Sequence, residues 1–198
     1  MFTAAEFDAI ALSLKVAAVA ALASLPFGIA VGWLLARKRF PGKSLLDACV
    51  HLPLVLPPVV VGYVLLVSFG NQGVIGKALS AVGISFAFRW TGAALASAIM
   101  GFPLMVRAIR LSIEGTDRRL EQAASTLGAD PWRVFRTITL PLAWPGIVAG
   151  TVLAFAKALG EFGATITFVS NIPGETQTLS SAIYGLLQVP GAESGIWR

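Results

Sequence analysis

Residues 122–141 read Gln122-Ala-Ala-Ser-Thr-Leu-Gly-Ala-Asp-Pro-Trp-Arg-Val-Phe-Arg-Thr-Ile-Thr-Leu-Pro141, an Arg-rich amphipathic segment between long apolar stretches. Across its start, Leu120, Ala123, Ala124 and Leu127 recur at i, i+3, i+4 and i+7, the apolar stripe of a short helix. Arg118, Arg119, Glu121, Gln122 and Ser125 occupy its other face. Thr116 or Asp117 can cap its start, and Gly128 supplies a left-handed stop. Asp130-Pro131 then reads as an N-cap followed by Pro at the first helical position, which starts a second helix. The pattern predicts helix, sharp turn, helix across residues 116–139. Periodicity alone fits two placements equally well: a narrow face sunk into a partner's groove, or a basic helix lying on lipid headgroups.

The surroundings set the class. The chain is 56% hydrophobic and 13% charged, with a mean hydropathy of +0.79, against roughly one-quarter charged residues in soluble domains. That composition predicts an all-α integral membrane protein. Its 198 residues leave room for about four or five spans of ~20 residues. The first is expected over 10–36, the second over 45–69, the third over 92–111 and the fourth over 142–165. Acidic Glu6 and Asp8 ahead of a long apolar run argue against a cleaved signal peptide.

The net charge of +5 is not spread for nucleic acid. Arg37, Lys38, Arg39 and Lys43 follow the first apolar run, while Arg107, Arg110, Arg118, Arg119, Arg133 and Arg136 flank the amphipathic segment. Positive charge on alternate connections places both regions in the cytoplasm and the N-terminus outside. Cys49 stands alone, which excludes an intramolecular disulfide and a cysteine metal cluster, and it is expected as a small packing residue. His51 is expected to make a buried or interfacial hydrogen bond. Gly42-Lys43-Ser44 has the end of a phosphate-binding loop, but Arg37 holds the first Gly position and no strand precedes it. No nucleophile–base constellation or metal site is expected, so the chain is not read as an enzyme.

Two features fit a pathway, the first of them equally well a bent packing helix. Pro53, Pro57 and Pro58 fall within the second span and should kink or break it. Such a break is tolerated at membrane depth where protein or a water-filled cavity satisfies the freed carbonyls. Lys157 and Glu161 lie i, i+4 in or near the fourth span. They fit either a mutually neutralised pair or a cation helping to line an anion path, with Thr165 and Thr167 beyond them. Gly28/Gly32 and Gly146/Gly150 have the G-x-x-x-G spacing of close helix contacts. An outer region with a short amphipathic helix over 179–187 follows, and the chain ends at Trp197-Arg198.

The spacing of Ala123-Ala124, Gly128, Ile138 and Leu140-Pro141 resembles the EAA loop of ABC-importer permeases, with Gln122 where Glu is usual and Glu121 just before it. His51-Leu-Pro-Leu-Val-Leu-Pro-Pro-Val-Val-Val-Gly-Tyr63 and the stretch from Gly160 to Thr178 resemble molybdate permease subunits; sulfate permeases are similar in plan. The resemblance implies a type I ABC-importer permease bundle in the bacterial inner membrane. It implies a coupling helix carrying Leu120, Glu121, Gln122, Ala123, Ala124, Leu127 and Gly128, docked into a cytoplasmic ATPase that binds ATP and Mg. A second copy of the chain and a periplasmic oxyanion-binding protein are the other implied partners. That family carries one more span after the outer region, so a chain lacking its final span is expected. An ion-driven secondary transporter would show internal repeats and more intramembrane acids, and neither is found.

Overall fold

The structure is a computed structural model that describes residues 4–188, and every regular element in them is helical. α1 (Ala4–Arg37) is one apolar helix long enough to cross a membrane. α2 (Lys43–Val55) and α3 (Pro58–Phe69) follow, bent by 112° at the break between them. A short α4 (Val74–Ser80) starts from Gly73 in what reads from the sequence as an irregular outer loop. α5 (Trp90–Gly115) is the second helix long and apolar enough to span.

α6 (Arg118–Thr126) is followed by α7 (Pro131–Val134), a π-helical stretch Phe135–Thr139 and α8 (Leu140–Leu142). α9 (Trp144–Leu159) leaves this segment at 66°. α10 (Gly163–Val169) and α11 (Leu179–Leu187) complete the described chain, and the end at Trp197-Arg198 lies outside the described residues.

α5 is the central post, packed against both α1 and α9. Ala96, Met105, Val106 and Ile109 on it are fully buried. Both glycine pairs serve this helix. A Cβ at Gly28 or Gly32 of α1 would press on Met105 or Ile109, and one at Gly146 or Gly150 of α9 would meet Ser112 or the Met105 carbonyl. α5 is thus clasped from two sides at small-residue faces, which lets helices approach where lipid gives no hydrophobic incentive to associate.

Two expected spans are broken. Leu56 is extended (φ −73°, ψ 142°), and Pro57 lacks the N–H that would continue α2, so the chain restarts with Pro58 at the first turn of α3. Residues 142–165 do not form one helix. α9 stops at Gly160, and the Glu161 side chain accepts from the Ala164 N–H at 3.0 Å, capping the start of α10. A carboxylate that satisfies the backbone locally competes with continuing the helix. The two breaks meet in space, since a Cβ at Gly163 would lie 2.8 Å from Pro58 Cβ, and α3 rests on α10 at Gly62.

Candidate coupling site and pathway

α6 is framed by its caps. Asp117 Oδ1 accepts from the Arg119 N–H at 2.9 Å, and Gly128 takes φ +86° to reverse the chain. Asp130 Oδ1 then accepts from the N–H groups of Trp132 and Arg133, at 2.9 and 3.1 Å, to begin α7. These contacts are local, which is why the sequence announces them.

The orientation of α6 comes from longer-range bonds. Glu121 points back into its own bundle, where Oε1 accepts from Arg37 Nε at 3.0 Å and from Thr139 Oγ1 at 2.8 Å. Arg37 also donates to the Thr116 carbonyl at 3.2 Å, and Arg118 donates to the Ala36 carbonyl at 3.1 Å. The side chains of Arg37 and Glu121 are 7% and 18% exposed. Arg118 and Glu121 bond inward to the bundle, while Arg119, Gln122 and Ser125 are exposed, and so is most of the apolar stripe: Ala123 is exposed, Leu120 is 49% exposed and Leu127 88%. No residue of α6 is buried; Ala124 is half-buried, and Gln122 and Gly128 are exposed.

The sequence reading did not find Arg37 and Thr139 as partners of Glu121. Arg37 stood only as a member of a basic cluster, and nothing local ties it to a residue 84 positions away. Arg110 was likewise read as a topological charge. It binds both carboxylate oxygens of Asp47 at 3.1 Å and Glu114 at 2.8 Å, joining α2 to α5. His51 Nδ1 lies 2.9 Å from the Asp47 carbonyl oxygen. Cys49 is exposed and is not the packing residue expected of it.

Of the pathway candidates, Lys157 Nζ lies 2.6 Å from Glu161 Oε2; the Lys157 side chain is 31% exposed and that of Glu161 1%. Thr165 and Thr167 donate to the carbonyls of Phe162 and Gly163, both at 2.9 Å, so their hydroxyl protons are spent on the second break. Pro57 and Pro58 form the first break and are exposed. Pro53 lines a separate cavity of about 730 Å³ between α1, α2 and α5, whose walls include Val19, Phe27, Ile99 and Phe102. That cavity offers a dianion almost no donors to replace its hydration, which would cost at least several kcal/mol per charge.

Residues 25–188 match the binding-protein-dependent transport system inner membrane component family. The chain belongs to that family. It is 67% identical over 199 residues to the molybdenum transport system permease protein ModB of Escherichia coli (strain K12), covering 100% of this chain and 87% of that protein. It is 64% identical to ModB of Haemophilus influenzae, covering 95% and 82%. To the probable sulfate transport system permease protein cysT of Chlorella vulgaris it is 37% identical, covering 89% and 66%. A bacterial ABC transporter involved in the import of the acidic polysaccharide alginate shares the fold, with a TM-score of 0.76 over 98% of this chain and 72% of that one, at 21% identity. The permease is therefore a multi-pass membrane protein with the type I ABC-importer permease fold.

Proposed function

We propose that this permease carries molybdate across the bacterial inner membrane as one of two copies, with the N-terminus outside and α6 in the cytoplasm. Each copy docks α6 into a cytoplasmic ATPase that binds ATP and Mg, and a periplasmic binding protein delivers the anion. The observation that carries this reading is the anchoring of α6, whose Glu121 and Arg118 are bonded to its own bundle while the apolar Leu120, Ala123 and Leu127 are left exposed for a partner. A helix lying on lipid would turn the same stripe toward the membrane, yet here the membrane-proximal face is the one bonded to Arg37 at the end of α1.

The covalent and packed route from α6 to the pathway is short. Pulling α6 loads Arg37 and the end of α1 through Glu121, and loads the π-helical stretch through Thr139. That stretch feeds α9, whose far end holds Lys157, Glu161 and the second break. The second break abuts the Pro57 break, so motion of α9 shifts two segments of irregular backbone together. Unwound backbone at membrane depth is tolerated where protein or a water-filled cavity satisfies it, and the touching breaks form the gate in this reading. Molybdate is favoured over sulfate because the molybdenum-transport relatives are 67% and 64% identical and the sulfate relative 37%.

The test is uptake of labelled molybdate into proteoliposomes holding the permease, its ATPase and the binding protein. Uptake that needs ATP and is weakly competed by sulfate is expected. Uptake driven by an ion gradient without ATP would overturn the reading.

A further inference from the structure

Behind the polar face of α6 lies a cavity of about 550 Å³, bounded by the last turn of α1 and by α7 with the π-helical stretch. Arg37, Lys38 and Arg118 line it against one carboxylate, Glu121. That carboxylate is engaged by Arg37 and Thr139 through Oε1. Two of the cations keep donor capacity. Arg118 uses Nη2 on the Ala36 carbonyl, and the rest of its fork has no protein partner among the described residues. Among the described residues, Lys38 Nζ meets only the Trp33 ring, at 5.3 Å from its centroid. Gln122 adds a side-chain amide to the lining.

The depth of the cavity is marked by aromatic rings. Trp33 and Phe135 form part of its wall, 5.7 Å apart edge to face, and Trp132 stacks on Phe135 at 5.6 Å while remaining 64% exposed. Tryptophans at the ends of spanning helices sit at headgroup level, and basic pockets at that level attract anionic headgroups. We infer that the cavity holds the phosphate of an anionic phospholipid headgroup, bridging Lys38, just past the end of α1, and Arg118 of α6. The lipid phosphate would then supplement the Arg37–Glu121 tie in holding the coupling helix to the first span. A soluble phosphate has the same chemistry, but the aromatic wall favours a ligand arriving from the bilayer.

Native mass spectrometry of the purified permease after incubation with phosphatidylglycerol or phosphatidylcholine of the same chain length tests this. Wild type should retain phosphatidylglycerol preferentially. Lys38→Gln/Arg118→Gln should retain on the order of tenfold less, while Arg39→Gln, next in sequence but outside the lining, should match wild type. Should the double variant fail to insert, Lys38→Gln alone, which removes an ammonium with no hydrogen bond among the described residues, should still weaken retention. Equal retention of the two lipids, or retention unchanged in Lys38→Gln and the double variant, would overturn the site. Inorganic phosphate binding that is lost in the variants, without lipid retention, would overturn the lipid source and assign the cavity to a soluble phosphate.

Discussion

The Arg37 guanidinium lies 3.0 Å from Oε1 of Glu121, joining the end of the first span to α6 across 84 positions of sequence. Thr139 donates to the same oxygen, so one carboxylate ties together α1, α6 and the end of the π-helical stretch ahead of α9. Arg37→Ala or Glu121→Ala strands a largely buried partner, and a loss of roughly 1–3 kcal/mol is expected for either. Thr139→Val removes one hydroxyl bond and should cost about 1 kcal/mol. Thermal unfolding in detergent ranks the three; an Arg37→Ala effect no larger than that of Thr139→Val would show that the pair is not a strut.

Gly128 stands in open space with φ +86°, so the demand there is on backbone and not on volume. Gly128→Asn should keep transport, because Asn tolerates the left-handed region. Gly128→Val should uncouple ATP hydrolysis from uptake while the protein still inserts, since a β-branched residue there is strained by roughly 1–2 kcal/mol. Equal activity of the two variants would show that the turn tolerates another conformation.

Lys157 and Glu161 should respond asymmetrically. The carboxylate is almost fully buried and caps α10, whereas a third of the Lys157 side chain is open. Lys157→Met leaves a buried carboxylate unpaired, at about 3–5 kcal/mol, and expression should fall sharply. Glu161→Gln keeps an acceptor for the Ala164 N–H and should be milder. The double variant should recover much of the protein level; if it recovers level but not uptake, Lys157 meets the anion.

The glycine clasps make a graded prediction. A Cβ at Gly146 would collide with Ser112 Cβ beside the Ala108 carbonyl, whereas at Gly28 it meets the flexible end of Met105. Gly146→Ala should therefore lower the unfolding temperature clearly more than Gly28→Ala, and the reverse order would contradict the packing around α5.

What the sequence disclosed was local. The caps at Asp117 (of the Thr116 and Asp117 alternatives), Gly128 and Asp130 and the proline break each depend on residues within a turn or two, and the structure places them as read; the spacing of the glycine pairs is local too, but the helix they clasp lies far off in sequence. The sequence does not show that the helix of the fourth span stops at Gly160, because Glu161 reads as a charge in or near that span, whereas its carboxylate caps the start of α10. The partners of Glu121 were invisible for a different reason. Which side chains of an amphipathic helix turn inward is fixed by tertiary bonds, and here Glu121 turns inward because Arg37 and Thr139 bond to it.

The exposed stripe of α6 is what the proposed coupling stands on. In proteoliposomes containing the ATPase and binding protein, ATP hydrolysis and molybdate uptake should be measured together for wild type and for Leu120→Asp/Leu127→Asp, whose changes touch only the outward face. The variant should insert normally, lose most of its ATPase association and show no ATP-dependent uptake. Wild-type uptake with the ATPase still bound would contradict docking through this face.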